Sequence, residues 1–250
     1  MKATLWWFTS GAKEAIKHKP VVIVIDALRA TSFIVTALAL GAKYIIPVST
    51  VEEAFKIKHE RPEVLLAGEV GGAKIPSFDL GPSPLELYRV NIKGKVIVHR
   101  STSGIQLLCA LKGYDEVYVG SFLNAKAIAE YVYERAMRLK RDIAVLLAGY
   151  RRTHFALDDF LCAGAIINYM PFNDDILPDS VLAAKYLFKA YKNRLIDMVK
   201  HSLSSRHISK LGFSGDVDFC IQLNRFNIVP SLVKSDGGYI IKIVKKCSYL

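Results

Sequence analysis

Asp26 and Arg29 stand three residues apart in the stretch DALRATS (Asp26 to Ser32). Further along the chain come Glu69 to Gly72, RSTSG (Arg100 to Gly104), Ser121 to Asn124, GYRRTH (Gly149 to His154) and the pair Asp158-Asp159. Carboxylates in such company can hold a hard divalent cation, preferably Mg²⁺, which takes oxygen ligands and keeps several waters. Arg29 and Arg100 can clamp a phosphate bidentately, and the Ser/Thr-rich turns offer hydroxyl and backbone donors. The combination suits phosphoryl transfer, which needs charge neutralisation and in-line positioning above all. Simpler readings accompany these: Thr31 and Ser103 precede helices as ordinary N-caps do, and helix-dipole complementarity alone accounts for one of Asp158 and Asp159.

These residues need a scaffold that brings them together. Apolar, β-branched runs without polar alternation recur at Val21 to Ile25, Tyr44 to Val48, Val64 to Leu66, Val96 to Val98, Val117 to Val119 and Ile143 to Leu147. They read as strands covered on both faces. Helical spacing fills the intervals near Thr31 to Leu40, Val51 to His59, Ser103 to Lys112, Asn124 to Lys140 and Leu157 to Met170. The expected fold is therefore α/β, three-layered, with a mainly parallel sheet. In such sheets ligands bind at the carboxyl ends of the strands, and every polar stretch named above falls at such an end.

The chain also resembles itself. Val24 to Ser49 lies over Val96 to Ser121 without a gap at an offset of 72 residues, with Gly41 over Gly113 and Ser49 over Ser121. The pattern predicts two related βαβα halves, about 1–90 and 91–175, within a single unit spanning 1–250. Gly68 to Leu87, rich in Gly and Pro, breaks every period and reads as a functional or mobile loop carrying Glu69, Asp79 and Glu86. From 176 to 250 the reading is one or two helices over Asp179 to Ser205, with Lys185, Lys189, Lys192, Arg194 and Lys200 on a solvated face. A hairpin of Ile228 to Val233 with Tyr239 to Val244 follows.

Composition narrows the partners. With 250 residues, 52 % of them apolar and 23 % charged, the chain has the balance of an ordinary globular protein. A net charge of +11 fits either nucleic acid or a small polyanion. The basic residues of Lys185 to Lys200 alternate with Asp197 and apolar residues, which disfavours nucleic acid, whereas Arg29, Arg100, Arg151 and Arg152 gather at strand ends. Cys109, Cys162, Cys220 and Cys247 form no metal-binding spacing and read as buried thiols of a reducing compartment. His18, His59, His201 and His207 read as surface residues, His99 and His154 as neighbours of the rim. Without a signal-peptide pattern or a spanning stretch, a cytoplasmic protein off the membrane is expected, with homo-oligomerisation open.

At these same residues the sequence resembles the 2-phosphosulfolactate phosphatases of coenzyme M biosynthesis. The matching stretches are VVIVIDALRATS (Val21 to Ser32), GEVGGAKIPSFDLGPSPLE (Gly68 to Glu86), GSFLNA (Gly120 to Ala125), FALDDFLCAGAI (Phe155 to Ile166) and DVDFCIQLNRFNIVP (Asp216 to Pro230). The resemblance implies a Mg²⁺-dependent hydrolase acting on the phosphate monoester of a 2-hydroxy carboxylic acid. By motif, Asp26, Arg29, Thr31, Ser32, Glu69, Gly71, Gly72, Asp79, Gly81, Asn124 and Asp158 or Asp159 become its site residues. The chain departs from the family pattern at Val70, where the family has an arginine, at STSGI (Ser101 to Ile105) in place of TTNGT, and at Ala148-Gly149 in place of Cys-Ala-Gly. Arg151 and Arg152 add charge that can replace the missing arginine.

The resulting expectation assigns catalysis to Asp26, Arg29 and Asp158, and Mg²⁺ to Asp26 with Glu69 or Asp79. Phosphate falls to Arg29 and the turn Ser101, Thr102, Ser103 and Gly104, with Thr31 and Ser32 as further binding residues. The acid group falls to Asn124 and Arg151 or Arg152. The alternatives are a small-anion-binding relative without turnover and, less favoured, a nucleic-acid-binding protein.

Overall fold

The computed structural model describes residues 1–247 of the chain. The first part of the chain runs β1 (Ala3–Trp7), α1 (Phe8–His18), β2 (Val21–Ile25), α2 (Ala30–Ala39), β3 (Tyr44–Pro47), α3 (Val51–Glu60), β4 (Leu65–Val70) and β5 (Ala73–Lys74). It continues with β6 (Val96–Arg100), α4 (Gly104–Ala110), β7 (Val117–Gly120), α5 (Ala125–Leu139), β8 (Ile143–Leu147) and α6 (Leu157–Asn168). A helical stretch, α7 (Asp179–Tyr191), α8 (Leu195–Val199), α9 (Leu203–Lys210) and α10 (Ser214–Cys220), leads to the hairpin β9 (Ile228–Ser235) and β10 (Gly238–Lys246).

The apolar runs become strands because helices cover both their faces. Every residue of β2 and of β8 is buried. Where a helix starts in contact with solvent, local chemistry sets its boundary. The Thr50 hydroxyl accepts from Glu53 N at 3.1 Å ahead of α3, and acids in the first turn and bases in the last complement the helix dipole.

The strands join in one sheet of order β1-β8-β2-β7-β9-β10-β3-β6-β4-β5. Two parallel triplets, β8-β2-β7 and β3-β6-β4, flank the antiparallel hairpin. Exchanging β2 with β6, β3 with β7 and β4 with β8 maps each triplet onto the other in reversed order. The turn glycines Gly41 and Gly113 share a φ of 96°, and Ser49 N and Ser121 N donate alike to the side chains of Glu53 and Asn124. These turn residues coincide at an offset of 72 residues. The match slips by three residues in the leading strands, because α4 has 7 residues where α2 has 10.

The hairpin is not an appendage of the fold. β9 pairs with β7 and β10 with β3, so the last strands of the chain fill the gap between the halves. Three antiparallel pairings in a row make the triplets run in opposite senses along the sheet. Strand twist of roughly 20–25° per step, accumulated from β2 to β6, turns their carboxyl ends toward one another.

Sequence patterning missed β1 and α1, whose strand pairs in parallel with β8 at the sheet's edge. It also merged the short helices after α7. Lys185 corrects the expectation of a solvated basic face: it is 7 % exposed and ion-paired to Asp174. No helix among the described residues is long and apolar enough to cross a membrane.

Candidate active site

The ends of β2, β4, β6 and β8 meet α9 around a cleft. Asp26, Arg29, Glu69, Ser101, Thr102, Ser103, Arg151, Asp158 and Asp159 line it, as do Gly71, Gly72, Pro82, His99, Tyr150, Ser204 and His207.

Asp26 follows β2 directly. Its Oδ2 accepts from Gly104 N at 2.6 Å, across from the other half of the chain. Burial, then the negative charges of Glu69 and Asp158, push its carboxyl up to about 7. Asp158, in the first turn of α6, is 1 % exposed, and its Oδ1 has no hydrogen-bond partner among the described residues. Burial raises it to about 6, against the Ser202 and Ser204 hydroxyls that favour its ionised form. The neighbouring Asp159 has a different task. Its two oxygens accept from Ala27 N at 2.8 Å and Gly149 N at 2.9 Å, tying the loops after β2 and β8 to α6.

Glu69 and Arg29 organise the rest. Glu69 takes hydrogen bonds from Gly72 N at 2.6 Å, from the Thr102 hydroxyl at 2.9 Å and from Thr102 N. Both its oxygens are thereby engaged in holding the Gly71-Gly72 turn against the loop after β6. Arg29, expected to clamp phosphate, instead ion-pairs with Asp216 at 2.7 Å and donates to the Gly72 carbonyl at 2.8 Å. Its guanidinium also lies 4.9 Å from the Phe213 ring centroid. The second oxygen of Asp216 accepts from Ser83 at 2.6 Å. Arg29 thus lines the cleft as a neutralised strut.

Several expected ligand-binding residues lie elsewhere. Asn124 is fully buried away from the cleft, where it accepts from Ser121 N and donates to the carbonyls of Val119 and Ile228. Asp79 accepts from Leu66 N at 2.7 Å and pairs with Lys58 at 3.4 Å, outside the cleft lining. The Thr31 hydroxyl closes onto the backbone of Asp26 and that of Ser32 onto the Ala27 carbonyl, so both shape the turn from inside. Arg152 does not line the cleft, whereas Arg151 does. Ser101 Oγ accepts from Ile105 N at 3.0 Å, while the Ser103 side chain makes no capping bond and remains available to a ligand.

Two residues of the site escaped sequence reasoning, His207 in the lining and Asp216 behind Arg29. His207 was read as surface, yet its Nε2 meets the Gly71 carbonyl at 2.7 Å. Nothing in the amphipathic pattern of α9 marks it. Asp216 lies in one of the matching family stretches but gave no local sign of pairing with Arg29. His99, read from the sequence as a neighbour of the rim, does line the cleft; it is 0 % exposed with both ring nitrogens unpartnered, and burial beside Phe33 pushes it down to about 3.

The sequence profile of the 2-phosphosulpholactate phosphatase family matches residues 8–235, nearly the whole chain and every strand end that builds the cleft. The chain belongs to this family. Among its relatives, a probable 2-phosphosulfolactate phosphatase of Thermotoga petrophila is 42 % identical over 220 residues, 88 % of this chain and 91 % of the relative. One of Caldanaerobacter subterraneus is 41 % identical over 214 residues, 84 % and 87 % of the two chains. One of Carboxydothermus hydrogenoformans is 36 % identical over 243 residues, 97 % and 98 % of the two.

Of the carboxylates that family membership would offer to Mg²⁺, Asp26 and Asp158 fit a hard cation best. Asp158 Oδ1 has no hydrogen-bond partner among the described residues, both carboxyls are buried in the cleft lining, and a cation beside them would relieve their mutual repulsion. Glu69 is saturated by its donors and Asp79 is remote. No cluster of three or more His, Cys, Asp or Glu side chains forms a metal centre among the described residues. A bound Mg²⁺ would complete its shell with water and substrate oxygens, as this ion commonly does.

Proposed function

We propose that the protein hydrolyses the phosphate monoester of a 2-hydroxy carboxylic acid in a Mg²⁺-dependent reaction, phosphosulfolactate being the compound named for its relatives. The observation that carries this reading is the placement of two buried carboxyls, Asp26 and Asp158, in the lining of one cleft beside the Ser103 hydroxyl, with burial raising them to about 7 and about 6 in the metal-free protein. Groups tuned to that range exchange protons readily at neutral pH. Asp158, whose Oδ1 has no other partner among the described residues, accepts the proton of an attacking water and returns one to the leaving ester oxygen. Mg²⁺ held by Asp26 would polarise a phosphoryl oxygen and offset the dianion's charge.

The remaining residues hold this arrangement. Gly104 N fixes one oxygen of Asp26, Glu69 locks the Thr102 backbone, and Ser103 presents a hydroxyl without a capping bond. Arg29, fixed by Asp216, anchors the Gly72 carbonyl and keeps the Gly71-Gly72 turn over the cleft.

The test is release of phosphate from 2-phospholactate with Mg²⁺. Wild-type protein turns it over and Asp26→Asn loses at least about 100-fold in kcat, in line with loss of the charge stabilisation that a bound cation supplies. In parallel, Mg²⁺ raises the Tm of the wild type and does so less in the variant, as linkage requires for a ligand that binds only the folded form. Near-normal turnover in Asp26→Asn would overturn its role. Absence of turnover in the wild type would leave anion binding without catalysis.

A further inference from the structure

Charge is distributed unevenly along the cleft. Its inner end holds the buried Asp26, Asp158 and Asp159. Of the two arginines that line it, Arg29 has its charge cancelled by Asp216, with both side chains nearly inaccessible. Arg151 is different. It is exposed at the mouth, and no ion pair engages it among the described residues.

Arg151 is also held in place. The loop between β8 and α6 folds back on itself, with Tyr150 N donating to the His154 carbonyl at 2.9 Å. Arg151 takes a left-handed φ of 52° at its tip. The guanidinium carbon lies 5.3 Å from the Tyr150 ring centroid. That ring in turn meets His207 edge-on, 6.1 Å between centroids. Stacking on an aromatic face leaves the guanidinium's N–H edge free for a planar anion.

We propose that Arg151, seated on Tyr150, binds the acid group that the substrate keeps after its phosphate is removed. This rests on the phosphatase reading above and assigns the acid-group end of its substrate to one residue of this chain. Carboxylate and sulfonate present the same oxygen chemistry to a guanidinium. Arg152, adjacent in sequence but outside the cleft lining, has no part in it. The phosphate is directed to the inner end and the acid group to the mouth, so a simple alkyl phosphate uses only half of the cleft.

Two nearly isosteric esters separate these halves: 2-phospholactate, with a carboxylate, and isopropyl phosphate, with a methyl group in its place. Arg151→Ala raises KM for 2-phospholactate at least about tenfold, leaves kcat within about threefold, and leaves isopropyl phosphate unaffected. Arg151→Lys recovers part of the loss, since it restores charge without the planar fork. Arg152→Ala changes neither ester. Equal effects of Arg151→Ala on both esters, or none on either, overturn the proposal. Adding 3-sulfolactate as a competitive inhibitor tests the sulfonate-bearing acid: its inhibition weakens in Arg151→Ala if the same subsite holds it. Should neither ester turn over, the phosphatase reading fails by itself. The subsite is then decided by saturation-transfer NMR with 3-sulfolactate, where weaker binding by Arg151→Ala supports it and equal binding overturns it.

Discussion

The loops after β2 and β6 occupy equivalent places in the two halves, yet they carry opposite chemistry. The first supplies Asp26, a buried carboxyl. The second, Ser101 to Ser103, contains no ionisable side chain and supplies donors: Gly104 N to Asp26, and Thr102 N and Oγ1 to Glu69. One turn brings charge and its counterpart holds charge in place. Repetition of a βαβα unit delivers two converging strand ends, but two like ends would place carboxylates face to face. The repulsion already present between Asp26, Glu69 and Asp158 is one cause of the raised Asp26 pKa. A working site therefore requires the halves to diverge at this point while their helix-to-strand turns stay alike.

The largest expected effect comes from forcing the two turns apart. A Cβ on Gly104 would lie 2.7 Å from both the Cβ and Oδ2 of Asp26 and 3.0 Å from the Ala30 Cβ. Gly104→Ala should cost about 1–3 kcal/mol of stability by overpacking and, by displacing Asp26, at least about 100-fold in kcat/KM. Urea unfolding and steady-state assays check both, and wild-type behaviour in both would show that the turns are not rigidly coupled.

A smaller effect separates the turns by pH. Asp26 and Asp158 are raised in the folded protein, so between about pH 4 and 7 the folded state binds more protons than the unfolded chain. The difference ν_U − ν_N is negative there, and stability of the metal-free protein falls as pH rises through that window. Thermal melts at pH 5 and pH 8 should show the lower Tm at pH 8, with a smaller gap in Asp26→Asn. A Tm that rises from pH 5 to 8 by the same amount in both proteins would contradict a charge burden on the first turn.

The mildest test touches the second turn alone. Thr102→Val removes the hydroxyl that donates to Glu69 and accepts from Gly71 N at 3.2 Å, and keeps the backbone N–H. It should cost about 1 kcal/mol with turnover within about fivefold. Unchanged stability would mean that the backbone alone secures Glu69.

Much of the fold was legible because its signals are local. The run VVIVI has no polar face to turn toward water, so it became a strand covered on both sides. The hairpin around Asp236-Gly237-Gly238 was equally plain, but not its insertion between the halves, since edge pairing leaves no mark in a strand's own residues. The site was legible as a set of polar residues and not as a set of roles. Asp26 and Asp158 were named and do face the cleft. Asn124 and Thr31 were also named, and their side chains satisfy nearby backbone groups instead. An amide or hydroxyl beside a strand end serves a cap and a ligand equally well, and only the position of its partners distinguishes them.

By itself the sequence determined the alternation of strands and helices, through apolar runs and helical periods, and it determined which charged and hydroxylated residues stand at strand ends. The tertiary structure decided which of these are free to act. Arg29 is neutralised by a residue 187 positions away, Asp26 is held by one 78 away, and Asp159 is occupied by a backbone N–H 132 away. Whether a charge is spent on the scaffold or left for a ligand depends on distances of a few ångströms between such residues. Those distances exist only once burial has brought remote segments together and removed the water that would otherwise satisfy each group alone.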